Sequence, residues 1–181
     1  MAWLRWFLLG LVVGVGLLGT WWRMNHGTEA VVFDFVQQFD DASVRRPNAE
    51  VFVVRDVTIA SVSKPSITVR QPSRIAWDFT VPDNARVEAD IALEDEAWTR
   101  SGDGVLFRIG LSYDGQYEEM VTQLVNPFAV ESDRRWVPVA VDLSAYAGRA
   151  VSLIFNTGPG PEGGSHENDF GVWGAPRLVT R

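Results

Sequence analysis

The sequence predicts a mainly β fold, an antiparallel β-sandwich or jelly roll, preceded by one transmembrane helix and a short amphipathic helix. Three observations carry that prediction. An apolar run without charge opens the chain, a helical spacing follows it, and a period-two alternation fills the rest. The organisation read from them is an anchor over residues 1–23, a linker and membrane-proximal helix over 24–46, and the sandwich over 47–181.

The anchor is the run "WFLLGLVVGVGLLGTWW", 17 residues from Trp6 to Trp22 with no charged side chain. Together with Ala2–Leu4 it reaches the ~20 residues that span a hydrocarbon core. Trp3 and Trp6 stand at one end and Trp21 and Trp22 at the other, where indole rings favour the headgroup boundary. A cleaved signal peptide is the alternative, but "GTWWRM" puts bulky Trp where a cleavage site wants small residues. Gly10 and Gly14 form a GxxxG pair that lets a second helix approach closely, although glycine is also common in membrane helices generally. No Asp, Glu or His lies in the run, so it offers no proton relay or ion path. Arg5 and the α-amino group tip the orientation towards a cytoplasmic N-terminus and an extracytoplasmic C-terminal domain, periplasmic or at the cell surface.

After the linker, Val32, Phe35, Val36 and Phe39 follow the spacing of an amphipathic helix, which Thr28 would cap. Val31, Phe33 and Phe35 also alternate, so a strand is the alternative here. From Pro47 onward the period is two. Val51, Val53, Val57 and Ile59 form a first broken alternation, and Ile67 with Val69 a second. Ile75, Trp77, Phe79 and Val81 alternate with Ala76, Asp78 and Thr80, and Val87, Ala89, Ile91 and Leu93 with charged Arg86, Glu88 and Asp90. Val105, Phe107, Ile109 and Leu111 lead into "YDGQY", where Asp114-Gly115 is a strong two-residue hairpin signal. Gln116–Leu124 is its partner strand. Val137–Leu143, Val151–Phe155 and Phe170–Val179 supply the last strands. Eight or nine short strands with turns between them make a sandwich, and polar outward faces make it antiparallel.

Charge bounds the partners. The net charge is −7, and all 23 acidic residues follow residue 28. A domain that acidic is repelled by nucleic acid, so nucleic acid is not a partner. The chain has no Cys, which excludes disulfides, thiol catalysis and cysteine metal sites.

Several phrases carry a resemblance. "PSRIAWDFTVPDNARVEADIAL", "DGVLFRIGLSYDG", "RRWVPVAVDLSAYAGRAVSLIFNT" and "NDFGVWGAPRL" resemble the galactose-binding-like jelly roll, in accessory domains similar to carbohydrate-binding modules. It covers roughly residues 51–179, and "VDLSAYAG" and "WGAPRL" are its most specific parts. Phe170 stands where relatives often have Trp. The resemblance implies a non-catalytic binding or interaction module, without implying a particular sugar.

The residues themselves offer little chemistry. There are two histidines, His26 and His166, and no phosphate loop, dinucleotide fingerprint or G-x-S-x-G. The consecutive acids Glu94, Asp95 and Glu96 read as a solvated turn rather than a glycosidase pair. No catalytic residue and no cofactor is expected. In "GPGPEGGSHENDFGVWG", Glu167, Asn168 and Asp169 are the candidate ligands for a structural Ca²⁺, set against a plain Gly/Pro-rich hairpin. Trp98, Tyr113, Tyr117 and Trp136 are the candidate aromatics for a sugar surface, while Trp77 and Trp173 are expected in the core. The favoured function is a single-pass accessory subunit whose jelly roll contacts other integral membrane subunits in the bilayer, in a photosynthetic or respiratory assembly for example. The alternative is a membrane-tethered carbohydrate-binding module.

Overall fold

A computed structural model describes residues 29–70, 72–160 and 170–181. The expected anchor, with Trp3, Trp6, Gly10, Gly14, Trp21 and Trp22, lies outside them. Among the described residues no helix is long and apolar enough to cross a membrane. Val31–Thr180 form one compact unit.

The unit is an antiparallel two-sheet sandwich of eleven strands among the described residues: β1 (Ala30–Asp34), β2 (Val44–Arg46), β3 (Phe52–Ile59), β4 (Val62–Val69), β5 (Ser73–Thr80), β6 (Ala85–Leu93), β7 (Val105–Tyr113), β8 (Gln116–Val125), β9 (Val137–Asp142), β10 (Ala150–Pro159) and β11 (Gly171–Thr180). One sheet runs β3-β4-β11-β6-β9, with β1 also paired to β11; the other runs β2-β5-β10-β7-β8. Every strand predicted after Pro47 is present. Asp114 and Gly115 both take positive φ, 48° and 74°, and close the β7–β8 hairpin as their sequence requires.

The expected amphipathic helix over 24–46 is not a helix in its described part. Phe33 of β1 and Phe35 in the turn just after it pack on the core, and Phe35 is fully buried. The Phe35 N–H donates to the Pro176 carbonyl at 3.1 Å, and Asp34 Oδ1 accepts from the Val36 and Gln37 N–H groups at 2.9 and 3.1 Å. The strand therefore turns at once into a short 3₁₀ segment at Phe39–Asp41. That succession places Val32, Phe35, Val36 and Phe39 at helical spacing by coincidence. Tertiary pairing with β11 and β5 decides the outcome, so the sandwich begins near residue 31 rather than 47.

The core lies between the sheets and is strongly aromatic. Trp173 of β11 stacks on Phe155 of β10 at 4.7 Å and meets Phe107 of β7 edge-on at 5.0 Å. Trp77 of β5 meets Phe155 at 5.5 Å and Phe35 at 4.8 Å. Trp77 and Trp173, both expected in the core, are each 1% exposed. A second apolar cluster sits on the outer side of the six-stranded sheet, where Val57, Ile59, Ala92 and Val172 pack with Trp136 and Trp98.

Candidate functional site

Four aromatic residues are candidates from sequence, and the fold distributes them over three surfaces. Trp136 is 8% exposed, and its indole Nε1 donates to the Val62 carbonyl at 2.9 Å. Its ring lies against Gly174, where an added Cβ would fall 2.5 Å from the indole. Trp98 donates through Nε1 to the Leu93 carbonyl at 3.2 Å and packs on the same cluster. Both rings pack on the outer apolar cluster of the six-stranded sheet. Their polar tips already have partners and their faces are used. Tyr113 shares the inward side of β7 with Leu111. It meets Tyr146 edge-on at 5.2 Å, beneath Arg149. Glu118 accepts a hydrogen bond from the Tyr146 hydroxyl at 2.6 Å, and this pushes the Tyr146 pKa up to about 12.

Tyr117 differs from the other three. It is 50% exposed, on the outer face of the five-stranded sheet. Its phenol ring lies over Gly110, where an added Cβ would come within 2.5 Å of it. Strand register shows what surrounds it, because residues directly opposite one another share a face. One row crosses the sheet as Tyr117, Ser112, Ser152 and Asp78. The next is Glu119, Gly110, Ile154, Ala76 and Val44. The third is Thr122, Arg108, Asn156, Arg74 and Arg46. Tyr117 leans into the middle row, whose Ile154 and Ala76 are buried at 7% and 2% exposure beneath their neighbours, so Tyr117 is the exposed apolar element of the row, with polar side chains along both sides.

The polar rows are partly ordered. Arg108 Nε lies 3.3 Å from Glu119 Oε2, and Thr122 donates to the same carboxylate. Arg74 Nε donates to Asn156 Oδ1 at 2.8 Å. A bulge between Ile109 and Gly110 sets the register that lands Glu119 and Tyr117 on this face. Sequence reasoning finds Tyr117 but not Arg46, Arg74, Arg108, Glu119 or Asn156. Alternation marks each as outward, yet nothing local says which strands become neighbours.

The outer face of the six-stranded sheet holds a pocket of about 390 Å³, lined in part by Lys64, Glu88, Asp90, Pro138, Ala175 and Arg177. Its charges are already matched. Lys64 Nζ is 2.5 Å from Asp90 Oδ2, and Arg177 Nη2 is 2.8 Å from Glu88 Oε2. Burial alone would raise the Glu88 pKa. Hydrogen bonding from Arg177 and the charges of Arg86 and Arg177 outweigh it and hold the carboxyl below its ordinary value. The candidate Ca²⁺ ligands Glu167, Asn168 and Asp169 lie outside the described residues, and no cluster of three acidic or histidine side chains suited to a metal occurs among the described ones.

Comparisons place this fold among known proteins. No protein-family model matches the chain. An uncharacterized protein of Archaeoglobus fulgidus is 38% identical over 127 residues, 70% of this chain. The chain spans about a third of that relative's length, 32%. Among solved structures, the CBM51 module of Clostridium perfringens GH95, determined with methyl-galactose, has a TM-score of 0.55 at 14% identity, over 84% of this chain and 100% of its own. The Clostridium perfringens ZmpB structure that carries an M60 catalytic domain with CBM51-1 and CBM51-2 has a TM-score of 0.50 at 12% identity, over 77% of this chain and 14% of its own. The chain shares the two-sheet antiparallel β-sandwich fold of these carbohydrate-binding modules.

Proposed function

We propose that this chain is a non-catalytic carbohydrate-binding module, tethered to a membrane through its N-terminal apolar run. The observation that carries the reading is Tyr117, a 50% exposed aromatic ring lying over Gly110 between two polar rows. A pyranose ring has apolar C–H faces and an equator of hydroxyls, so it stacks on such a ring and bonds to groups beside it. Arg108 and Glu119 flank Gly110 and Asn156 lies one strand further on, so they supply planar donors and acceptors near the ring. The shared fold with sugar-binding modules supports this reading ahead of an accessory subunit contacting other membrane proteins.

The test uses the full-length chain in mild detergent on a glycan array, followed by affinity gel electrophoresis against the polymers that score. Tyr117→Ala should weaken retention about tenfold, the equivalent of roughly 1.4 kcal/mol of stacking. Unchanged retention with the native fold intact would move the site elsewhere. The pocket beside Lys64 and Arg177 would then be the next surface to probe, by Arg177→Ala.

A further inference from the structure

The third row of the Tyr117 face has an electrostatic peculiarity. Arg46 of β2 and Arg74 of β5 stand directly opposite each other in the ladder, both exposed and both on this face. Like charges in that arrangement repel. Among the described residues no carboxylate pairs with either: Arg74 donates only to the neutral Asn156, and the nearest acid in this row's neighbourhood, Glu119, is taken up by Arg108. Asp78 also projects from β5 on this face, but one row beyond the middle row. The chain carries 23 acidic residues against 16 basic ones, and among the described residues Arg70, Arg134, Arg135 and Arg149 likewise meet rings or carbonyls rather than acids; what sets Arg46 and Arg74 apart is that they face each other in the ladder.

On the opposite sheet the basic residues behave differently. Lys64, Arg55 and Arg177 each meet an acid within 2.8 Å. Arg46 and Arg74 share the outer face of the five-stranded sheet with Tyr117, four and three strands away from it; Tyr117 and Phe128 are the exposed aromatic rings among the described residues. A guanidinium presents a planar fork of donors that suits carboxylate and sulfate oxygens alike. From β8 to β2 the face crosses four inter-strand spacings, about 19 Å, which is longer than one sugar ring and fits an extended chain.

We infer that the outer face of the five-stranded sheet takes an extended anionic glycan, with a ring on Tyr117 at one edge and its carboxylate or sulfate groups on Arg74 and Arg46 towards the other. This rests on the carbohydrate-binding reading and narrows it to a charge class. The attraction is local, because the net charge of the protein opposes the approach of a polyanion. Retention should therefore weaken as salt rises.

The experiment compares full-length wild type, Arg46→Gln, Arg74→Gln, the double variant and Tyr117→Ala against three polymers: polygalacturonate, chondroitin sulfate and neutral galactan. Wild type should be retarded by at least one anionic polymer, and the double variant should lose that affinity tenfold or more. Retardation by polygalacturonate alone assigns a carboxylate, and by chondroitin sulfate alone a sulfate. Because the substitutions relieve repulsion, melting of the ligand-free variants should occur at or above the wild-type temperature, which separates lost binding from lost folding. If galactan is bound through Tyr117 and the arginine variants bind every polymer as wild type does, the anionic assignment is overturned and the saccharide reading stands. If no glycan is bound by wild type on the array or in the gel, both fall together.

Discussion

Gly174 shows how one missing side chain arranges a surface. It lies in β11 between Ser66 of β4 and Asp90 of β6, on the outer face of the six-stranded sheet. Trp136 fills the space above it, with Cζ3 2.5 Å and Cη2 2.8 Å from where a Cβ would stand. The Val62 carbonyl holds the indole N–H at 2.9 Å, so the ring cannot simply slide away. Gly174→Ala should therefore cost about 1–3 kcal/mol by overpacking, read as a lowered midpoint in urea unfolding. A change below about 0.5 kcal/mol would mean that Trp136 moves freely, and its burial would need another account. Sequence could not foresee this partnership. Trp136 is one of the candidate aromatics in the sequence, while the glycine that seats it lies far along the chain. Tyr117 is legible for the opposite reason, since the Asp114-Gly115 turn fixes its hairpin locally.

At the scale of elements, β6 and β11 are joined by charge as well as by their backbone ladder. Glu88 of β6 stands opposite Arg177 of β11 and accepts from its Nε and Nη2 at 3.1 and 2.8 Å, with Arg86 on its other side. The carboxylate is 22% exposed, so solvent screens the pair only in part. Its pKa is depressed below the ordinary 4.5 in the folded state, so the folded protein prefers it ionised. The stabilisation is complete above about pH 4.5 and disappears as pH falls through the lower folded value. Glu88→Gln removes the titration. At pH 7 the variant should be less stable by about 1–2 kcal/mol, and the gap to wild type should close as unfolding is measured at successively lower pH below 4.5. A gap that stays constant down to pH 2 would assign the loss to packing instead. The same element scale explains the misread N-terminal segment. β1 has five residues and β2 three, too few for alternation to outweigh a chance helical spacing, and what makes them strands is pairing with β11 and β5.

For the whole molecule, the layered sandwich was readable because both faces of each strand have distinct surroundings, and alternation records that directly. Strand order was not readable, and the face around Tyr117 depends on it, since Arg46, Arg74, Asn156 and Arg108 come from four separate strands. The boundary of the folding unit is the point where the two readings diverge experimentally. Period-two spacing alone would start the domain at residue 47. In the structure, residues 31–46 bring β2 onto the edge of β5, place Phe35 at 0% exposure against Trp77 and Phe155, and supply the Gln38 carbonyl that accepts the Trp77 Nε1 proton at 3.0 Å. Losing a buried Phe costs about 3–5 kcal/mol, and leaving a buried indole N–H unpaired costs about 1–3 more. Against a total stability of about 5–15 kcal/mol for a domain of this size, that loss is most of what holds the fold. Two further edges, on β5 and β11, would also be bared to intermolecular pairing. A fragment of residues 47–181 should therefore aggregate or melt far below a fragment of residues 29–181, which should run as a folded monomer in size-exclusion chromatography and unfold cooperatively by circular dichroism. If the shorter fragment matches the longer one in both measurements, β1 and β2 are decoration on a core complete without them. The Arg46 half of the anionic row would then sit on a dispensable strand.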